Sequence, residues 1–188
     1  MYQVRIHGRG GQGGKTASKI IGTAAFMDGK FVQDFPKYGA ERRGAPVAAF
    51  TRIDKKPIET RGYIYDPDCI IVLDESLLEM PMLGVLDGLK KDGILIVNSR
   101  NSSDEIKKKY KVNVRVVALP ATDIALQTLG KPIPSAVITG AFAKATGIFS
   151  MKSLKKAIEE ELGERGSISK EIIDKNIEGA IKCAEAVK

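Results

Sequence analysis

Two hydrophobic periods divide this chain. Residues 2–6 read as a short strand that enters a glycine-dense stretch, residues 8–14. Beyond it Ala17, Ile20, Ile21, Ala24 and Ala25 fall at i, i+3, i+4, i+7 and i+8, which predicts a helix with one apolar face, ended by Asp28-Gly29. Residues 30–34 read as a second strand. Residues 47–54 read as a third, turned by Lys55-Lys56-Pro57 into a short strand at 58–61, a hairpin-type excursion. Three continuous apolar runs follow at 69–73, 93–97 and 114–119, ended by Asp74, by Asn98-Ser99 and by Pro120. Such runs suit strands buried on both faces of a mostly parallel sheet. Helices are expected between them, over 77–89 and 104–110.

From Ala121 onward the pattern is helical. Residues 135–146 are rich in small side chains, suited to close packing against the sheet. Residues 151–162 and 168–187 are amphipathic, with Ile173, Ile177, Ala180, Ile181 and Ala184 on one stripe and 163–167 between the two helices. The expected architecture is one α/β domain over 1–188: a Rossmann-like, mostly parallel sheet flanked by helices, with a β-hairpin excursion and a helical C-terminal third.

Composition narrows the function classes. With 188 residues, 43% of them hydrophobic, the chain can bury one sizeable core. It has no 18-residue apolar run and enters a strand directly, so we expect no membrane span, no signal peptide and a cytoplasmic location. The net charge of +7 raises nucleic acid as a partner, but the basic residues are scattered apart from Lys107 to Lys109 and aromatics are 6%. No nucleic-acid partner is expected. A basic face toward an anionic cofactor or an acidic protein fits better. Two distant cysteines, Cys69 and Cys183, cannot build a four-cysteine cluster, so no metal site is expected here.

The candidate chemistry begins at the glycines. Gly8, Gly10 and Gly13 match G-x-G-x-x-G between a strand and a helix, a loop in which backbone can approach a phosphate closely. A nicotinamide or flavin reading adds Asp34, 21 residues beyond Gly13, as the ribose acid. Arg9, Gln12 and Lys15 make the loop more polar than such a fingerprint usually is. The loop over 35–46 carries Glu41-Arg42-Arg43-Gly44, whose arginines could meet phosphates, or face solvent or another subunit. Asp74-Glu75 suits helix capping better than acid–base chemistry. His7, the single histidine, stands at the loop mouth. No nucleophile–base pair or thiamine motif is visible, so no catalytic residue is assigned to this chain.

Taken together, HGRGGQGGKTASKIIGTAAFMDGK, FPKYGAERRGAPVAAFTRID and ALPATDIALQTLGKPIPSAVITGAFAKATG resemble the gamma subunit of 2-oxoacid:ferredoxin oxidoreductases, nearest the pyruvate branch. The resemblance covers about residues 1–162. It implies a hetero-oligomeric enzyme that converts a 2-oxoacid and coenzyme A to acyl-CoA and CO2 and passes electrons to ferredoxin. Thiamine diphosphate and iron–sulfur clusters would lie on partner subunits, one of them ferredoxin-like. The gamma chain would contribute to a shared coenzyme A site, with Gly8, Arg9, Gly10, Gly11, Gln12 and Gly13 lining the cofactor and Arg42 and Arg43 charging its phosphates. Much of the family has an asparagine near the start of the ITG-type helix. The resemblance places Ser135 there, a side chain that also donates and accepts but reaches less far. A small NAD-binding oxidoreductase and a purely structural assembly subunit are the alternatives.

Overall fold

The computed structural model describes residues 1–36, 43–163 and 168–188. Its strands are β1 (Tyr2–Arg9), β2 (Phe31–Pro36), β3 (Pro46–Asp54), β4 (Cys69–Val72), β5 (Ile94–Asn98) and β6 (Arg115–Leu119), and its helices are α1 (Gly14–Met27), α2 (Ser103–Tyr110), α3 (Ala121–Leu129), α4 (Ile138–Thr146), α5 (Met151–Gly163) and α6 (Lys170–Glu185). The strands form a six-stranded sheet in the order β2-β3-β1-β4-β5-β6. β1, β4, β5 and β6 run parallel, and β3 runs antiparallel to both β1 and β2. β3 is therefore the one reversed strand of this mixed sheet.

The apolar runs fold as their composition demands. In β4, Cys69 and Ile71 belong to one core while Ile70 and Val72 belong to the other, and all four are fully buried. The larger core packs β1, β4 and β5 residues against α1 and the C-terminal helices. The smaller one packs Leu95, Val97 and Val116 under Ile106 of α2 and under Leu77 and Val85.

Three local expectations need correction. Residues 58–61 are not a strand: β3 already has β2 on one side and β1 on the other, so β3 offers them no edge to pair with. The hairpin of the fold is instead β2 with β3, joined across a segment outside the described residues. Residues 77–89 do not form an α-helix but two 3₁₀ turns, Glu75–Glu79 and Pro81–Leu83, followed by further turns. Pro81 cannot donate a helical hydrogen bond, and Gly84 and Gly88 take positive φ. Third, the small residues at 135–146 serve mainly a helix–helix contact. α4 begins at Ile138 and is buried nearly all round, touching α6, α5 and α1 as well as β5.

Two buried arginines hold irregular chain onto the sheet beside the smaller core. Arg5 of β1 donates to the carbonyls of Ile64, Val85 and Asp87. Arg52 of β3, 1% exposed, donates to Gln33 Oε1 and to the carbonyls of Gly62 and Tyr63, and lies over the Phe35 ring at 5.2 Å. Phe35, Phe50 and Tyr63 stack beside it. Arg52→Met keeps bulk but leaves those acceptors without their charged donor. We expect it to lower stability by about 2–4 kcal/mol in urea unfolding of the full chain.

Candidate functional site: a cavity at the start of the first helix

β1 continues past the predicted strand end because β3 pairs with it as far as Arg9↔Pro46. Gly8 is thus a strand residue, and a Cβ there would stand 3.0 Å from Leu73 Cδ1. Gly11 and Gly13 turn the chain into α1 with φ of 96° and 79°, a conformation that favours glycine. Gly13 is also the N-cap of α1, which has no side-chain cap and no acid in its first turn. The amides of Gly14, Lys15 and Thr16 consequently lack intrahelical acceptors, and the helix end carries partial positive charge.

That helix end forms one wall of a cavity of about 640 Å³. Lys131 and Ser135, from the connection between α3 and α4, line it as well, and Leu129, Ile133, Leu162 and Ile172 supply apolar lining. Ser135 is only 5% exposed, and its hydroxyl has no hydrogen-bond partner among the described residues. It packs so closely on the loop that a Cβ on Gly13 would lie 2.6 Å from Ser135 Cβ and 2.7 Å from its Oγ. Neither Lys15 nor Lys131 is in an ion pair among the described residues. Among the described residues the cavity therefore presents open helix amides, a hydroxyl and two cations beside an apolar surface.

The polar side chains of the glycine loop point elsewhere. Arg9 Nε donates to Asp74 Oδ2 at 2.9 Å, Nη2 to Ser76 Oγ at 2.9 Å and Nη1 to the Gly44 carbonyl at 3.2 Å. Gln12 accepts from the Arg9 amide at 2.7 Å and donates to Asp74 Oδ2 at 3.2 Å. The Gly10 amide donates to the Ala45 carbonyl at 2.8 Å, and the Gly44 amide to that of Gly10 at 3.0 Å. Asp74 also caps the following 3₁₀ turn through the Ser76 amide, as a capping reading of Asp74-Glu75 expects. Glu75 gathers Ser99, Asn101, Lys109 and Tyr110, which ties the ends of β4 and β5 together.

Of the remaining candidates, the described ones are not in the cavity lining. Arg43 lies in an exposed turn, and Arg42 lies outside the described residues. Asp34 sits on β2, separated from β1 by β3, with Oδ1 3.8 Å from where a Cβ on Gly22 of α1 would be. A ribose acid belongs on the strand beside β1, so the inserted β3 removes the geometry of the nicotinamide reading. His7 pairs along β1 with Ala48 and Val72. Cys69 and Cys183 are buried free thiols whose pKa burial pushes up. Lys131 and Asn176, which line the cavity, were not singled out by the sequence. Lys131 follows Gly130, the left-handed end of α3, in a stretch of two prolines, and a rigid bend of that kind was the available signal.

Among the described residues no helix is long and apolar enough to cross a membrane. The model of the pyruvate ferredoxin/flavodoxin oxidoreductase family matches residues 3–186. The chain is 52% identical over 172 residues to the pyruvate/ketoisovalerate oxidoreductases common subunit gamma of Pyrococcus abyssi, covering 89% of this chain and 92% of that one. It superposes on pyruvate oxidoreductase subunit PORC of Thermotoga maritima with a TM-score of 0.84 at 38% identity, over 100% and 97% of the two chains. The 2-oxoglutarate:ferredoxin oxidoreductase of Magnetococcus marinus, solved with 2-oxoglutarate, coenzyme A and succinyl-CoA bound, shares the fold at a TM-score of 0.75 and 19% identity, over all of this chain and 31% of that one. A mixed six-stranded sheet, a glycine turn into a long helix and a family match over nearly the whole length agree: the chain belongs to the pyruvate ferredoxin/flavodoxin oxidoreductase family, as its gamma-type subunit.

Proposed function

We propose that this chain contributes to a shared coenzyme A site of a multi-subunit pyruvate, or related 2-oxoacid, ferredoxin oxidoreductase. Thiamine diphosphate and the iron–sulfur clusters then belong to partner subunits, and ferredoxin is the electron acceptor of the whole. The observation that carries the reading is the cavity that joins the open N-terminus of α1 to Lys15, Lys131 and the hydroxyl of Ser135, which has no hydrogen-bond partner among the described residues. The donor set fits the cofactor. Its phosphates need N–H donors and cations, and its apolar arm needs a surface such as Leu129, Ile133 and Ile172 provide.

When bound, coenzyme A supplies the thiol that receives the acyl group. This chain's residues would hold and orient the cofactor and move no proton. The Gly14, Lys15 and Thr16 amides and the two lysines would meet phosphate, Ser135 would donate to a polar group, and the apolar wall would keep water from the arm. Gly8, Gly10, Gly11 and Gly13 would shape the backbone around it, and Arg43 would add charge from the exposed turn beside Gly44. Two comparisons support the reading. The Pyrococcus relative is named as common to two oxidoreductases, which suits a subunit that handles the reactant both share. The Magnetococcus enzyme, which has this fold within it, was solved with coenzyme A.

The test is steady-state kinetics of the assembled oxidoreductase carrying Lys131→Ala or Ser135→Ala. We expect the apparent KM for coenzyme A to rise about 5- to 30-fold, with the KM for the 2-oxoacid unchanged. Unchanged coenzyme A kinetics in both variants would overturn the site. Loss of the complex with normal kinetics in what remains would favour the assembly role.

A further inference from the structure

Asp74 does more than cap a turn. A cap needs one acceptor oxygen, and Oδ1 meets that need by taking the Ser76 amide and hydroxyl. Oδ2 accepts from Arg9 Nε and Gln12 Nε2, both side chains of the glycine loop, 65 and 62 residues away in sequence. Arg9 then extends the contact through Nη1 to the Gly44 carbonyl, and Gly10 and Gly44–Ala45 exchange two backbone hydrogen bonds. One carboxylate oxygen therefore ties the end of β4 to the loop over 9–12, and through it to the turn at 43–45. Desolvation works to raise the Asp74 pKa. Hydrogen bonds from Ser76, Gln12 and Arg9 outweigh it and hold the carboxyl below the usual range, so it is charged at neutral pH.

We propose that Asp74 is a positioning residue for coenzyme A: by fixing Arg9 and Gln12 it holds the glycine loop and the 43–45 turn in the arrangement that leaves the α1 amides open to the cavity. The proposal rests on the coenzyme A reading of the same cavity. Its physical basis is the loop's own softness. Two left-handed glycines, Gly11 and Gly13, give the segment wide backbone freedom, and the Arg9–Asp74–Gln12 brace removes it before the cofactor arrives. Arg9 lines the cavity, yet its guanidinium is turned onto Asp74, Ser76 and Gly44.

Asp74→Asn separates the two roles, because asparagine still caps but turns an amide donor toward two donors of the loop. The experiment uses the assembled oxidoreductase with Asp74→Asn, Arg9→Met and the double variant, beside Lys131→Ala. We expect Asp74→Asn to raise the KM for coenzyme A about 10-fold while kcat at saturating coenzyme A and the KM for the 2-oxoacid stay within about twofold. The double variant should be no worse than Arg9→Met alone, since both delete one brace. Asp74→Glu, which keeps the charge, should recover part of the loss. If Lys131→Ala raises the KM and Asp74→Asn leaves it unchanged, the positioning role is wrong and the cofactor site stands. If neither moves it, both fall. Effects of Arg9→Met and Asp74→Asn that multiply would make Arg9 a direct ligand and overturn the proposal. Should Asp74→Asn fail to assemble, Gln12→Leu decides, because Gln12 holds Asp74 and the Arg9 amide and is outside the cavity lining: a raised coenzyme A KM supports the brace, and an unchanged value overturns it.

Discussion

Gly140→Ala is expected to destabilise the chain by about 3 kcal/mol and to lower Tm by roughly 6–12 °C. A Cβ on Gly140 would overlap the carbonyl of Ala180, a backbone atom of α6 that no rotamer change can move. The contact is tight from both sides, because a Cβ on Gly179 of α6 would meet Val137 Cγ2 at 2.8 Å and Thr128 Oγ1 at 3.0 Å. α4 and α6 would have to separate, and α4 lies in the larger core with Ile138, Ala141 and Phe142 fully buried. Helix propensity alone predicts the opposite, since alanine stabilises an ordinary helix interior by about 1 kcal/mol over glycine. Thermal unfolding of the variant decides between these signs, and a Tm at or above that of the parent chain would show that the helices slide apart without loss.

Gly13→Ala is expected to affect the site more than any other single change in the glycine loop. Alanine at φ 79° is strained, and its methyl group would press on Ser135 Cβ at 2.6 Å. Left-handed backbone and overpacking together should lower stability by about 2–3 kcal/mol. The relief available is to push Ser135 and the α3–α4 connection away, which moves the hydroxyl and Lys131 relative to the α1 amides. In the assembled oxidoreductase we expect the coenzyme A KM to rise more than about 10-fold, beyond the effect of Ser135→Ala. Gly29→Ala, beyond the far end of α1, is the control. It has the same left-handed requirement and nothing within 4 Å of a Cβ but lies outside the cavity lining, so it should show strain without loss of cofactor affinity. Equal kinetic effects of the two would place the cause in the backbone rather than in the Gly13–Ser135 contact.

The parts of this fold that were legible in the sequence are those set by local pattern. The run at Cys69–Val72 has no polar position, so it could only be a strand covered on both faces, and the 3.6-residue period after Gly13 could only be a helix laid on the sheet. What local pattern cannot show is which strand takes the place beside β1. The sequence order suggests β2, and the sheet puts β3 there, which hides the edge that 58–61 would need and carries Asp34 away from the glycine loop. The leucines of 77–89 imitate a helical period, and Pro81 overrides them. At the site, Gly13 and Ser135 were each named for different reasons and meet in the structure. That the Arg9 and Gln12 side chains meet Asp74 could not be read from the sequence, because Asp74 comes from the end of another strand and the contact exists only after folding. Lys131 and Asn176 escaped for the same reason, since they reach the cavity from elements with no motif of their own.

If the cavity at the start of α1 holds coenzyme A, amide hydrogen exchange of the assembled oxidoreductase, with and without coenzyme A, will register the cofactor on both of its walls. We expect slower exchange with coenzyme A at residues 11–16 and 130–135 of this chain, the segments that carry the open amides and Ser135. Protection confined to the partner subunits, with both walls exchanging as in the free enzyme, would contradict that placement.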